Sequence, residues 1–140
     1  PHSETVDALY SAWKKSPEII HTLHGRKPTA TNEYAEDARG GEPFTEAPIS
    51  LTRCTMYHRK YAVAYFEVEP KIREFNHDTL HNGEDIILSY LSRARSRKDV
   101  RVYDLPASEL PAPHAIHGRA GHMQYRTLLM RRCQKFFDIL

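Results

Sequence analysis

Two adjacent carboxylates, Glu84 and Asp85, follow Asn82-Gly83 and precede the apolar pair Ile86-Ile87. Asn is a favoured helix cap, and the N–H groups and macrodipole at a helix start stabilise negative charge, so carboxylates placed there tend to stay ionised. Such a group suits a glycosyl transfer: it can face a cationic, oxocarbenium-like anomeric centre or act as a base for an acceptor hydroxyl. The same four residues equally describe a capping pair, Asn82 with Asp85, beside a solvated Glu84.

Arg119, His122, Arg126 and Cys133 are spaced by three, four and seven residues, which places them within a narrow stripe of one helix. Leu129, Phe136 and Leu140 share much of that side, so the stripe borders a buried face. Half-buried arginines need anionic partners. A nucleotide pyrophosphate, which accepts bidentate hydrogen bonds from guanidinium, would provide one, and so would the carboxylates of Glu84 and Asp85. A structural ion pair that only holds the last helix to the sheet satisfies the same pattern.

The nine histidines form no His-x-x-x-His or Glu-x-x-His set on an expected helix with acidic company. His77 and His81, beside Asp78, come closest; His21 with His24 and His114 with His117 are weaker, and no metal ligand is assigned in this segment. The chain lacks a Gly-rich phosphate loop, a Gly-x-Ser-x-Gly elbow and a Cys-His pair near in sequence, which argues against P-loop and hydrolase chemistry.

These residues need a scaffold, and 140 residues suffice for one compact core. A hydrophobic content of 40%, with 20 basic against 18 acidic residues, describes a soluble globular chain. The only dense basic run, Ser92 to Arg101, is short and fits a solvated helix end, so no nucleic-acid partner is expected. There is no apolar run of about 18 residues, and the first residues lack signal-peptide zones; any membrane anchor is expected outside this segment. Cys54 and Cys133 form either one disulfide or two free thiols.

Val6, Leu9, Tyr10 and Trp13 make an amphipathic stripe with Ser3 or Thr5 as cap and Pro17 beyond its end, predicting a first helix. Ile19 to Leu23 suits a short strand, and Lys27 to Glu46, without periodicity, reads as a long surface loop. Ile49 to Thr55 alternates as a strand, and Tyr61 to Phe66 favours a helix. A helix capped by Asn82 carries Ile86, Ile87, Tyr90 and Leu91; Val100, Val102 and Tyr103 suggest a strand; Pro106, Pro111 and Pro113 enforce an irregular connection; and a last helix runs from about Gly121 to Phe137. Strands alternating with helices argue for an α/β layered domain, though three expected strands are few for a complete sheet.

In this order the pieces resemble exostosin-like transferases of glycosyltransferase family 64. Trp13, Ser16-Pro17-Glu18-Ile19-Ile20 and Gly25-Arg26 resemble the family's stretch after its metal motif. Ile49 to Phe66 resembles its strand into a Tyr-rich helix. Asn82-Gly83-Glu84-Asp85-Ile86 resembles N-C-[DE]-D-I, and Arg119-Ala120-x-His122-x-x-x-Arg126 resembles R-A-x-H-x-x-x-R. The match spans nearly the whole chain.

The resemblance implies a partial GT-A fold, a Rossmann-like nucleotide-diphospho-sugar transferase domain with a mixed sheet flanked by helices. It further implies retaining transfer from a UDP-sugar, commonly UDP-N-acetylhexosamine, onto a glycan or glycoprotein acceptor in the ER and Golgi lumen, the full-length protein being membrane-associated. By motif position Asp85 is the key active-site carboxylate, Arg126 bonds the diphosphate or the aspartate, and Asn82, Glu84, Arg119 and His122 are substrate-binding. Manganese is expected on an upstream D-x-D motif, which this segment lacks, so residues 1–140 read as the C-terminal part of one transferase domain. A non-catalytic structural or interaction module derived from such a transferase is the alternative. Gly83 stands where the family has a cysteine, whose partner lies just after the matching arginine. Cys133 lies four residues later than that pattern wants, which leaves Arg131 or Arg132 as rival equivalents of Arg126.

Overall fold

The computed structural model describes residues 2–68, 70–78, 83–108 and 120–138. Helix α1 (Ser3–Lys15) forms where the stripe predicts it, and Pro17 follows its last turn. It buries Thr5 and Leu9, whereas Val6 and Tyr10 stay exposed. His2, not Ser3 or Thr5, holds the cap position, without a side-chain bond, because the Thr5 hydroxyl donates instead to the Pro106 carbonyl.

The Ile19–Leu23 run contributes only a two-residue strand, β1 (His21–Thr22). The expected loop at 27–46 is corrected by three strands in its neighbourhood: β2 (Gly25–Pro28), β3 (Tyr34–Ala38) and β4 (Thr45–Ala47). They lack a period-2 apolar pattern because β3 is buried only at its two ends, Tyr34 and Ala38, with Ala35, Glu36 and Asp37 facing solvent between them. The strand expected from Ile49 to Thr55 is split into β5 (Ile49–Ser50) and β6 (Thr55–Met56). Helix α2 (Arg59–Tyr65) follows, then α3 (Pro70–Asp78), α4 (Glu84–Ser96), strand β7 (Val100–Val102) and helix α5 (His122–Phe136). Pro is well placed at the first position of α3, where no N–H is needed.

The strands form a mixed sheet, β4-β7-β1-β6, in which β1 and β7 run parallel and the edges antiparallel, and a separate antiparallel sheet, β3-β2-β5. This is the expected α/β class, with helices flanking a mixed sheet. Gly25 sits where the sheets converge: a β-carbon there would stand 2.7 Å from Val102 Cγ2 and 3.1 Å from Ala47 Cβ.

Helix α4 is the central element, with Ile86, Ile87, Ser89, Tyr90, Leu91 and Ser92 all buried. It packs on α2, α5 and β5. Its charges suit the macrodipole, acidic Glu84 and Asp85 in the first turn, basic Arg93 and Arg95 in the last. The basic run after it is partly neutralised, Arg93 by Asp99 at 2.5 Å and Lys98 by Glu18 at 3.0 Å. Asn82, the cap expected from the sequence, lies outside the described residues. Gly83, with an extended φ of −175°, occupies the N-cap position.

Candidate active site

Asp85 is carried by the first turn of α4 and Arg126 by the second turn of α5, two helices that share the main core. Only 5% of Asp85 and 6% of Arg126 reach solvent. Arg126 Nη2 donates to Asp85 Oδ2 at 2.5 Å and to the Tyr34 hydroxyl on β3 at 2.7 Å. Arg126 Cζ also lies over the Tyr34 ring, 4.4 Å from its centroid.

Asp85 is fixed from below. Its Oδ1 accepts from the Ile86 N–H at 2.9 Å, its carbonyl accepts from the Ser89 hydroxyl at 2.7 Å, and that hydroxyl accepts from the Ser50 N–H of β5 at 2.9 Å. The acidic end of α4 is thereby tied to the three-stranded sheet that also carries Tyr34.

The electrostatics follow from burial and from the pair. Burial alone would lower the pKa of Arg126, but the charge of Asp85 and the Tyr34 hydroxyl outweigh it and the net shift is upward. Burial, then the negative charge of Asp85, push Tyr34 up to about 12, so its hydroxyl stays protonated. Glu84 is exposed as a residue. Desolvation around its carboxyl, followed by repulsion from Asp85, nevertheless raises its pKa above the ordinary value.

Of Arg126, Arg131 and Arg132, it is Arg126 that meets Asp85. Arg131 donates to the carbonyls of Asn32 and Thr31, and Arg132 lies over the Phe75 ring at 3.9 Å. His122, in the first turn of α5, lines an open groove of about 680 Å³ with Glu33, Tyr34 and Thr127. Asn82 and Arg119 lie outside the described residues, as do His81, His114 and His117. Cys54 and Cys133 are both free thiols, and burial pushes Cys133 up to about 12.

Tyr34 was not marked by the sequence because it sits in the stretch without periodicity. The only signal there was its own size and apolarity beside Asn32-Glu33. A second missed feature lies at the carboxyl ends of the parallel pair β1 and β7, where open α/β sheets place ligands. Here His24, Arg26, Arg53, Tyr103 and Asp104 line a crevice of about 630 Å³. The buried His21 stands behind it, its Nε2 3.0 Å from the Ser16 carbonyl and its Nδ1 2.8 Å from the Tyr103 hydroxyl. A carbonyl can only accept, so Nε2 carries the proton and Nδ1 accepts from Tyr103.

Among the described residues no three His, Cys, Asp or Glu side chains gather as a metal site. The manganese expected from the resemblance finds no such cluster among them. No described helix is long and apolar enough to cross a membrane.

Compared with known proteins, residues 2–140 match the family model described as the glycosyl transferase family 64 domain. No curated protein sequence matches the chain.

Proposed function

This chain belongs to the glycosyl transferase family 64 domain, and from that premise we propose that it is the acceptor- and donor-closing part of an exostosin-like retaining glycosyltransferase. Its donor is a UDP-sugar, UDP-N-acetylhexosamine first, and its acceptor a glycan or glycoprotein in the ER or Golgi lumen. Asp85 faces the anomeric carbon, where positive charge develops as the bond to the diphosphate breaks. Arg126 holds that carboxylate and balances the charge gathering on the departing diphosphate. Glu84, Asn82, Arg119 and His122 border the substrates. Manganese, held upstream of this segment, would supply further charge for the diphosphate.

The observation that supports this most is the direct contact of Asp85 with Arg126, because the two motifs that resemble the family lie 41 residues apart and meet at one ion pair. A preorganised pair of opposite charges in a site shielded from water is worth far more to a charged transition state than the same pair in solvent.

A non-catalytic role is favoured by the depth of the pair, since a salt bridge this buried also serves to lock two helices. The full-length protein separates the two. Asp85→Asn keeps the shape of the side chain but strands the buried Arg126 cation and lowers stability, so a fall in UDP-sugar turnover of at least about a hundredfold, measured where the variant is still folded, supports catalysis. Turnover that survives the substitution assigns Asp85 to structure alone.

A further inference from the structure

Arg126 meets Asp85 at the start of one helix, but a single anchor leaves a guanidinium free to swing about it. The second anchor comes from β3. The Tyr34 hydroxyl accepts from the same Nη2 at 2.7 Å, and Arg126 Cζ lies 4.4 Å from the ring centroid.

Tyr34 is itself held against α5 at the adjacent position: its N–H donates to the Thr127 hydroxyl at 3.0 Å. Just before it, Asn32 exchanges two amide hydrogen bonds of 3.0 Å with Gln134, and its carbonyl accepts from Arg131. The ring centroid also lies 5.8 Å from the Cζ of Arg26, which is fixed by Asp37 at 2.9 Å and by the Ala35 carbonyl. The aromatic ring thus neighbours two cations, one buried and one on the crevice wall. Its location is overdetermined by backbone and side-chain contacts that do not involve Asp85.

We infer that Tyr34 is a positioning residue for the transfer reaction, its hydroxyl setting the orientation in which Arg126 meets Asp85 and the departing diphosphate. This rests on the catalytic role proposed for that pair. Phosphoryl leaving groups are recognised by the planar fork of arginine, so a rotated guanidinium misdirects its donors even when its charge remains. The penalty then appears in the transition state, where charge develops, more than in ground-state binding.

The test uses the full-length protein with UDP-N-acetylhexosamine and a glycan acceptor. Tyr34→Phe keeps the ring and removes only the hydroxyl. The expected result is a fall in kcat of about tenfold to a hundredfold, the worth of one hydrogen bond to a charged group, with both KM values within about twofold. Gln134→Ala loosens the same β3–α5 contact without touching Arg126; it should lower the melting temperature and leave kcat within about twofold. A Tyr34→Phe enzyme with unchanged kcat, or a Gln134→Ala enzyme that loses kcat equally, overturns the inference. Asp85→Asn run alongside separates the failures: if it too keeps full turnover, the catalytic reading falls and the inference with it. Melting temperatures decide even where no turnover is found, since losses for Tyr34→Phe and Asp85→Asn that simply add would show that the two side chains are not coupled through Arg126.

Discussion

Leu129 fills the space that a side chain at Gly83 would need. A β-carbon built on Gly83 would stand 2.0 Å from Leu129 Cδ2 and 3.5 Å from its Cγ. The N-terminus of α4 and the middle of α5 therefore interlock beside the Asp85–Arg126 pair. By resemblance, position 83 is a cysteine in the family with its partner just after the matching arginine. In this chain an apolar contact three residues after Arg126 occupies that place.

Gly83→Ala should destabilise the protein by about 1–3 kcal/mol through overpacking. Leu129→Ala opens the space and costs about 2–5 kcal/mol as a cavity. The interlock predicts that Gly83→Ala becomes close to neutral in the Leu129→Ala background. Denaturant melts of the two single variants and the double variant measure this, and purely additive losses would show that the two residues are independent.

The Asp85–Arg126 pair should be strongly non-additive. Removing either partner leaves a buried charge uncompensated, at a cost of about 3–5 kcal/mol, whereas replacing both with apolar residues of similar volume costs much less. Unfolding of Asp85→Leu, Arg126→Met and the double variant gives the comparison. A double variant as unstable as the sum of the singles would contradict the pairing.

At alkaline pH stability should fall from about pH 10 upward. Burial raises Tyr34 and Tyr90 to about 12, above their ordinary value of 10. The unfolded chain releases these protons first, so the stabilisation is complete below pH 10 and is lost as pH rises towards 12. In a 295 nm titration, Tyr34 and Tyr90 should ionise late and together with unfolding, and Tyr103, which desolvation also raises, should be delayed as well. Tyr34→Phe should remove one of them.

On the acid side His21 contributes with the opposite slope. Desolvation lowers its pKa below 6.5, opposed by its bond to the Ser16 carbonyl, with Arg101 and Glu18 as the charged groups facing it. Its share of stability is therefore present above pH 6.5 and lost as pH falls through the lowered value. His21→Leu should flatten that share of the melting curve between pH 7 and 5, while lowering stability at pH 8 by removing the acceptor of the Tyr103 hydroxyl. An unchanged acid slope would remove His21 from the account.

Where apolar residues recur with helical spacing, as in Val6–Trp13, Ile86–Leu91 and Arg126–Cys133, the helices stand close to where the pattern puts them. Local spacing suffices there because a helix closes its hydrogen bonds within a few residues. Strand β4 escaped because its partner β7 is distant in sequence, and β2 and β3, which pair with each other as a local hairpin, because the exposed Ala35, Glu36 and Asp37 hide the period. A short strand such as β4 draws its stability from pairing that no local window contains.

The sequence by itself determined that Asp85 begins a helix, that Arg126 rides on the buried side of another, and that both fall in motifs resembling one family. It left Arg131 and Arg132 as rivals to Arg126 and kept Tyr34 out of sight. Only the tertiary structure shows that Arg126 is the one in contact with Asp85 and that Tyr34 joins them, because which cation meets Asp85 depends on the angle and register at which α5 crosses α4. That register is set by Leu129 seated against Gly83 and by Tyr34 of β3, whose N–H is latched to Thr127 of α5.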